Sequence, residues 1–162
     1  LLLPLIQLGE MVKRDVGESE EAIKEKTLGY FGVTTVFVVI WFLFSPLYKP
    51  FLRDVLLLEN YESILNIVWI SVGFYILFAY NNVIDSIFYG MGKTEYMLFQ
   101  SIVINSIFYG TLFILYVSGI YVPTLELIAL MFAAGIAFDS LLTYGMFYWM
   151  LKKRKIKLVG QL

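Results

Sequence analysis

Residues 63–90 read SILNIVWISVGFYILFAYNNVIDSIFYG: 22 residues from Ser63 to Ile84 without a formal charge, then Asp85 and one more apolar turn to Gly90. A run of about 18 or more apolar residues is long enough to cross the hydrocarbon of a bilayer. Lipid offers no partner to a free N–H or C=O, so such a run must be helical. Working outward, Thr27–Tyr48 is charge-free over 22 residues, Tyr96–Leu125 over 30, and Leu127–Leu151 is broken only by Asp139. The predicted spans are 28–48, 63–90, 96–119 and 124–151. The fold class is therefore all-α, a polytopic membrane protein with about four transmembrane helices of a helical lobe. Composition agrees: hydrophobic residues are 60% of the 162 and charged residues 15%, against roughly 45–50% and about 25% in soluble domains. Mean hydropathy is +0.79. A soluble domain this small could not hide that much apolar side chain. Cysteine and histidine are absent. That excludes disulfides, thiolate or imidazole metal sites, Ser-His-Asp and Cys-His catalysis and zinc hydrolysis. No enzyme and no cofactor is expected, apart from a transported Na⁺ or H⁺.

The flanks divide the chain into 1–27, 28–151 and 152–162. Residues 1–12, LLLPLIQLGEMV, are apolar but too short to cross. Lacking a Met and a basic start, they do not read as a signal peptide; the expectation is the cut end of another helix. Residues 13–26 carry nine charges and predict a cytoplasmic charged linker with a short surface helix, supported by Glu20–Lys24 at i,i+4. Pro46 and Pro50 close the first span, and Pro123-Thr124 opens the fourth. Ten of the 12 Lys and Arg residues lie in residues 13–27, around Lys93 and after Leu151; the remaining two, Lys49 and Arg53, lie in 48–62. The excess of Lys and Arg on cytoplasmic loops places the first group inside a plasma membrane, with the C-terminus cytoplasmic. The tail Lys152-Lys153-Arg154-Lys155-Ile156-Lys157 is then expected to touch anionic lipid headgroups.

Polar side chains at membrane depth are costly and face protein or a water-filled path. Asn81, Asn82 and Asp85 share one broad helical face, and Gln100, Ser101 and Asn105 share another. Folding the hairpin about residue 93 brings Asp85 level with Ser101 and Asn81 level with Asn105. A ladder of interhelical hydrogen bonds is predicted, either a clamp at roughly 1 kcal/mol per bond or the polar wall of a substrate or ion path. Asp139 sits at the middle of the fourth span, with Gly135 and Thr143 one turn to either side. It is a candidate proton or cation carboxylate, or else a neutral acid bonded to a neighbouring helix. Gly90 and Gly92 make a tight cytoplasmic turn that leads to Thr94. Val83–Gly90 and Val103–Gly110 nearly repeat at an offset of 20, a coincidence in a chain rich in Ile, Phe and Tyr. Gly92-Lys93-Thr94 is not a phosphate-binding loop, because the required first glycine falls on Ile87. Neither aspartate sits in the Gly-x-Gly-Asp frame of intramembrane proteases, and no aromatic-basic platform for nucleic acid lies outside the lipid.

Three stretches, in order and spacing, carry a family resemblance: Gly17-Glu18-Ser19-Glu20-Glu21-Ala22, Phe51-Leu52-Arg53-Asp54-Val55, and Asn82–Gly90 running into Met91-Gly92-Lys93-Thr94. They resemble the C-terminal part of a multidrug and toxic compound extrusion (MATE) transporter, although Tyr89 stands where that family has Arg. The resemblance implies export of organic or drug-like amphiphiles driven by H⁺ or Na⁺. Small-molecule substrate would bind between two lobes, the N-terminal lobe of the same chain lying outside these residues. The partners implied are membrane lipids, the substrate and that lobe. A flippase for lipid-linked polysaccharides, from the same superfamily, is the alternative within transporters; a non-transporting membrane scaffold subunit is the alternative outside them.

Overall fold

The computed structural model describes residues 3–159. Helix α1 spans Leu3–Glu18 and α2 spans Glu21–Leu43. A connector follows: a 3₁₀ turn Ser45–Leu47, a short helical turn Tyr48–Pro50 and a π turn Phe51–Val55. Helix α3 spans Tyr61–Gly90, α4 spans Thr94–Val117, and α5 spans Leu125–Arg154. No strand occurs among the described residues. Four helices, α2 to α5, are long and apolar enough to cross a membrane.

Three boundaries differ from the sequence expectation: α2 stops at Leu43 rather than 48, because Pro46 cannot continue the helix, and two at the charged end differ for one reason. Charge ends a hydropathy run, but it does not end a helix. Residues 13–18 continue α1 rather than forming a linker, and α2 starts at Glu21 rather than 28. Leu5, Leu8, Val12 and Val16 recur every three or four residues, forming one buried stripe on α1. That stripe lies along α3. Asn82 donates to the Leu5 carbonyl at 2.8 Å, and Lys13 stands over the Tyr89 ring at 5.2 Å, so the two helices run parallel. Glycines permit the close approach: a Cβ at Gly9 would lie 2.8 Å from the Ser86 hydroxyl, and one at Gly90 only 2.7 Å from the Lys13 carbonyl.

The turns follow their sequences. Gly92 adopts φ +67. The Lys93 amide bonds the Phe88 carbonyl and the Gly92 amide the Tyr89 carbonyl, both at 2.9 Å, which is the Schellman closure of α3. Thr94 is exposed and begins α4. Thr124 caps α5 by accepting from the Leu127 amide at 3.2 Å. Lys155, at φ 55, closes α5 in the same left-handed way without a glycine.

The Lys- and Arg-rich segments meet at one end. Arg154 pairs with Glu20 at 2.7 Å, and the Val159 amide reaches the Lys24 carbonyl at 2.9 Å. Asp15 accepts from Lys26 at 2.8 Å and from Tyr30 at 2.7 Å. Those bonds, Lys26 first, hold its carboxyl at about 2, below the ordinary 3.8. Beneath this charged rim lies the main apolar core, with Val12, Ile23, Val83, Ile87 and Phe88 fully buried. Within lipid, packing and small-residue contacts replace the hydrophobic effect as the force between helices.

Candidate functional site

The dominant seam is between α3 and α5. They run parallel, so Asn81 meets Asp139 and Asp85 meets Thr143, both pairs 58 residues apart. Asn81 is 1% exposed. Its Nδ2 donates at 3.0 Å to Asp85 Oδ2, one turn along the same helix, and at 3.0 Å to Asp139 Oδ2 across the seam. Gln100, from α4, is 3% exposed and donates its Nε2 to Asp139 Oδ1. Thr143, fully buried, offers its hydroxyl to Asp85 Oδ1 at 3.5 Å. Three helices thus converge on two half-buried carboxylates that share one amide nitrogen.

The cluster has acceptors in excess. Among the described residues no Lys or Arg pairs with either carboxylate. The amide oxygens Asn81 Oδ1 and Gln100 Oε1 are buried and have no hydrogen-bond partner. A buried acceptor left unpaired costs on the order of 1–3 kcal/mol, and buried charges are ordinarily neutralised by a counter-charge or a metal. Every donor atom available to a guest here is oxygen, the set suited to a hard cation or a proton rather than to a transition metal. No group of three or more carboxylate, His or Cys side chains that could hold a metal occurs among the described residues.

The predicted site residues divide. Asn81, Asp85 and Asp139 come together. Asn82 does not join them: it turns to α1, bonding Leu5. Asn105 is exposed and bonds only Ser101 of its own helix, at 2.8 Å to the carbonyl and 3.3 Å to the hydroxyl. The expected rungs Asp85–Ser101 and Asn81–Asn105 are therefore absent. The polar face of α3 pairs with α5 instead, and α4 contributes Gln100. A π-helical segment, Ile104–Tyr109, widens α4 where Asn105 sits and resets the phase of the helix. Gly90, Gly92 and Thr94 form the turn as expected and lie apart from the carboxylates.

Of the face that sequence pattern gave to Gln100, Ser101 and Asn105, Gln100 alone reaches the carboxylates, and it bonds α5 rather than α3. The Gly135 stripe behaves as its composition suggests. A Cβ there would lie 2.7 Å from the Tyr109 hydroxyl and 3.2 Å from the Phe108 ring, so the glycine lets the π segment of α4 lie against α5. Phe108 stacks on Phe138 with ring centroids 5.8 Å apart.

Compared with known proteins, the chain matches no family model, no curated protein and no solved structure.

Proposed function

We propose that this chain is part of a cation-coupled secondary transporter of the MATE type, exporting organic or drug-like amphiphiles. The basic end faces the cytoplasm, and the helices cross the plasma membrane. Asp139 and Asp85 take up and release the coupling proton or Na⁺, with Asn81, Gln100 and Thr143 supplying the remaining oxygens. The observation that carries this proposal is the shared Asn81 amide between two carboxylates on separate helices, with two orphan amide oxygens and no base beside them. A proton or a small cation supplies the positive charge the cluster lacks, and its departure leaves like charges facing each other across the α3–α5 seam. Such a load is a differential interaction that can drive a conformational equilibrium.

A scaffold subunit calls for intramembrane polar groups that are all paired, and the two orphan oxygens argue against it. A lipid-linked polysaccharide flippase calls for basic residues within its groove. The spans are nearly free of them: Lys and Arg cluster at the helix ends and in the connector.

Flux through proteoliposomes containing the parent protein tests the proposal. Asp139→Asn and Asp85→Asn are each expected to abolish gradient-driven export while leaving substrate binding in place. Undiminished export in both variants removes the cluster from the mechanism.

A further inference from the structure

We propose that a second site, independent of the polar cluster and of any transport activity, lies between the C-terminal part of α2 and the first half of α3 and binds the one- or two-ring aromatic group of a membrane-dissolved molecule. A cavity of about 200 Å³ opens there. For scale, an apolar cavity of about 150 Å³ takes up benzene, so there is room for one substituted ring or two fused ones. Its walls come from three elements: Trp41 and Phe42 of α2, Tyr48 of the connector, and Trp69 and Tyr75 of α3, with the smaller Val72 beside them.

The chemistry of the wall selects the guest. No charged side chain lines the cavity. The Tyr48 hydroxyl is already committed, donating to the Trp41 carbonyl at 2.7 Å. The polar groups left on its wall are few, the hydroxyls of Ser45 and Tyr75 and the two indole N–H groups, so a hydrated or ionic group would give up most of its solvation on entering. Among apolar guests, a ring gains over an alkyl chain because five aromatic rings offer edges and faces to it, and such pairs are favourable beyond the area they bury. The position fits an amphiphile. The cavity lies at the end of the bundle away from the Lys13, Lys93 and Arg154 cluster, next to a connector that carries Lys49, Arg53 and Asp54. A guest's ring can be buried while its polar end stays in the interface. Tyr75 precedes Asn81 by six residues, about 9 Å along a helix axis, so the two sites are separate.

Heavy-atom contact quenching tests this directly, because two of the chain's three tryptophans line the cavity. The full chain carrying Trp149→Phe, in phosphatidylcholine nanodiscs, leaves Trp41 and Trp69 as the only emitters. Titration with bromonaphthalene is expected to quench them saturably, with unbrominated naphthalene restoring the emission. Adding Val72→Phe fills the cavity and is expected to weaken the apparent affinity by about tenfold or more, the scale of a lost apolar fit. Quenching that only rises in proportion to membrane loading, or that naphthalene does not reverse, overturns the site. So does an unchanged titration in a folded Val72→Phe chain. If nanodiscs of acyl-brominated phosphatidylcholine quench both indoles and naphthalene fails to relieve it, the cavity belongs to lipid chains and the aromatic assignment is wrong. The naphthalene competition in the unfilled chain decides the matter even where Val72→Phe does not fold.

Discussion

Gly90→Ala is expected to destabilise the chain, against the usual sign of a Gly-to-Ala change in a helix. A Cβ at Gly90 would stand 2.7 Å from the Lys13 carbonyl oxygen, 2.9 Å from Val16 Cβ and 3.1 Å from Val16 Cγ1. Ordinary contact between carbon atoms begins at about 3.5 Å, so against Val16 Cβ alone the shortfall is about 0.6 Å, and the carbonyl oxygen stands closer still. The nearest obstacle is backbone, which cannot swing away as a side-chain tip can. Helix α1 must therefore lift from α3 by some tenths of an ångström. A radial gap of about 0.5–1 Å forfeits a quarter to a half of each contact it opens. Val12, Val16, Ile87 and Phe88, at 0%, 2%, 0% and 0% exposure, all lie beside this crossing. Overpacking of this kind costs about 1–3 kcal/mol, while the better helix propensity of Ala returns about 1 kcal/mol. The net is a loss of up to about 2 kcal/mol, with a mid-range loss of about 1 kcal/mol, roughly fivefold in the unfolding constant. Denaturant titration in detergent micelles, followed by Trp emission, reads it. Gly29→Ala is the control: a Cβ there meets nothing within 4 Å, so its effect should be neutral or slightly stabilising. A Gly90→Ala chain that resists unfolding as well as the parent, or better, refutes the close α1–α3 crossing.

Asn105→Leu is expected to leave stability unchanged, whereas Asn81→Leu strips the shared donor from both carboxylates and should lower the unfolding midpoint clearly; equal effects would restore the hairpin ladder. Tyr144→Phe removes the hydroxyl that donates to the Leu77 carbonyl at 2.7 Å and should cost about 1 kcal/mol, read by the same titration. Because the folded Asp15 carboxyl lies at about 2, below its ordinary 3.8, its stabilising contribution is complete above 3.8 and disappears as pH falls through about 2. A melting-temperature series across that window should show a decline that Asp15→Asn lacks. If both chains decline in parallel, the Lys26 and Tyr30 bonds to Asp15 do not stabilise the folded state.

Lipid as solvent made the spans legible. Tyr61–Gly90 was readable to within two residues because Glu62 and the Gly-Met-Gly turn punctuate it, and Thr124 announced the start of α5. Hydropathy failed where helices leave the membrane. Residues 13–18 and 21–26 are helical, in keeping with the surface helix their charge spacing suggested, but that charge masked that they continue α1 and α2 and bury Val16, Ala22 and Ile23. Part of the site was readable too, since an Asn and two Asp residues have few places to go in hydrocarbon. Partner choice was not. Assigning Asn81 to Asn105 assumed an ideal α4 and a neighbour in sequence as the neighbour in space. Asn105 faces outward with Ser101, one turn before it on α4, and α3 and α5, running parallel, took up the polar face.

The equal offset of the Asn81–Asp139 and Asp85–Thr143 contacts, with the Tyr144–Leu77 bond beside them, makes α3 and α5 behave like paired rails joined by sleepers. Sliding or tilting that opens one tie strains the others, so the pair is braced as a single beam. Helix α4 is differently attached. It has the least buried span of the four, one polar tether through Gln100, and a loosened turn at Ile104–Tyr109. Helix α4 is thus less tied to the α3–α5 pair than those two are to each other, resting on it where Gly135 leaves room for Tyr109 and Phe108.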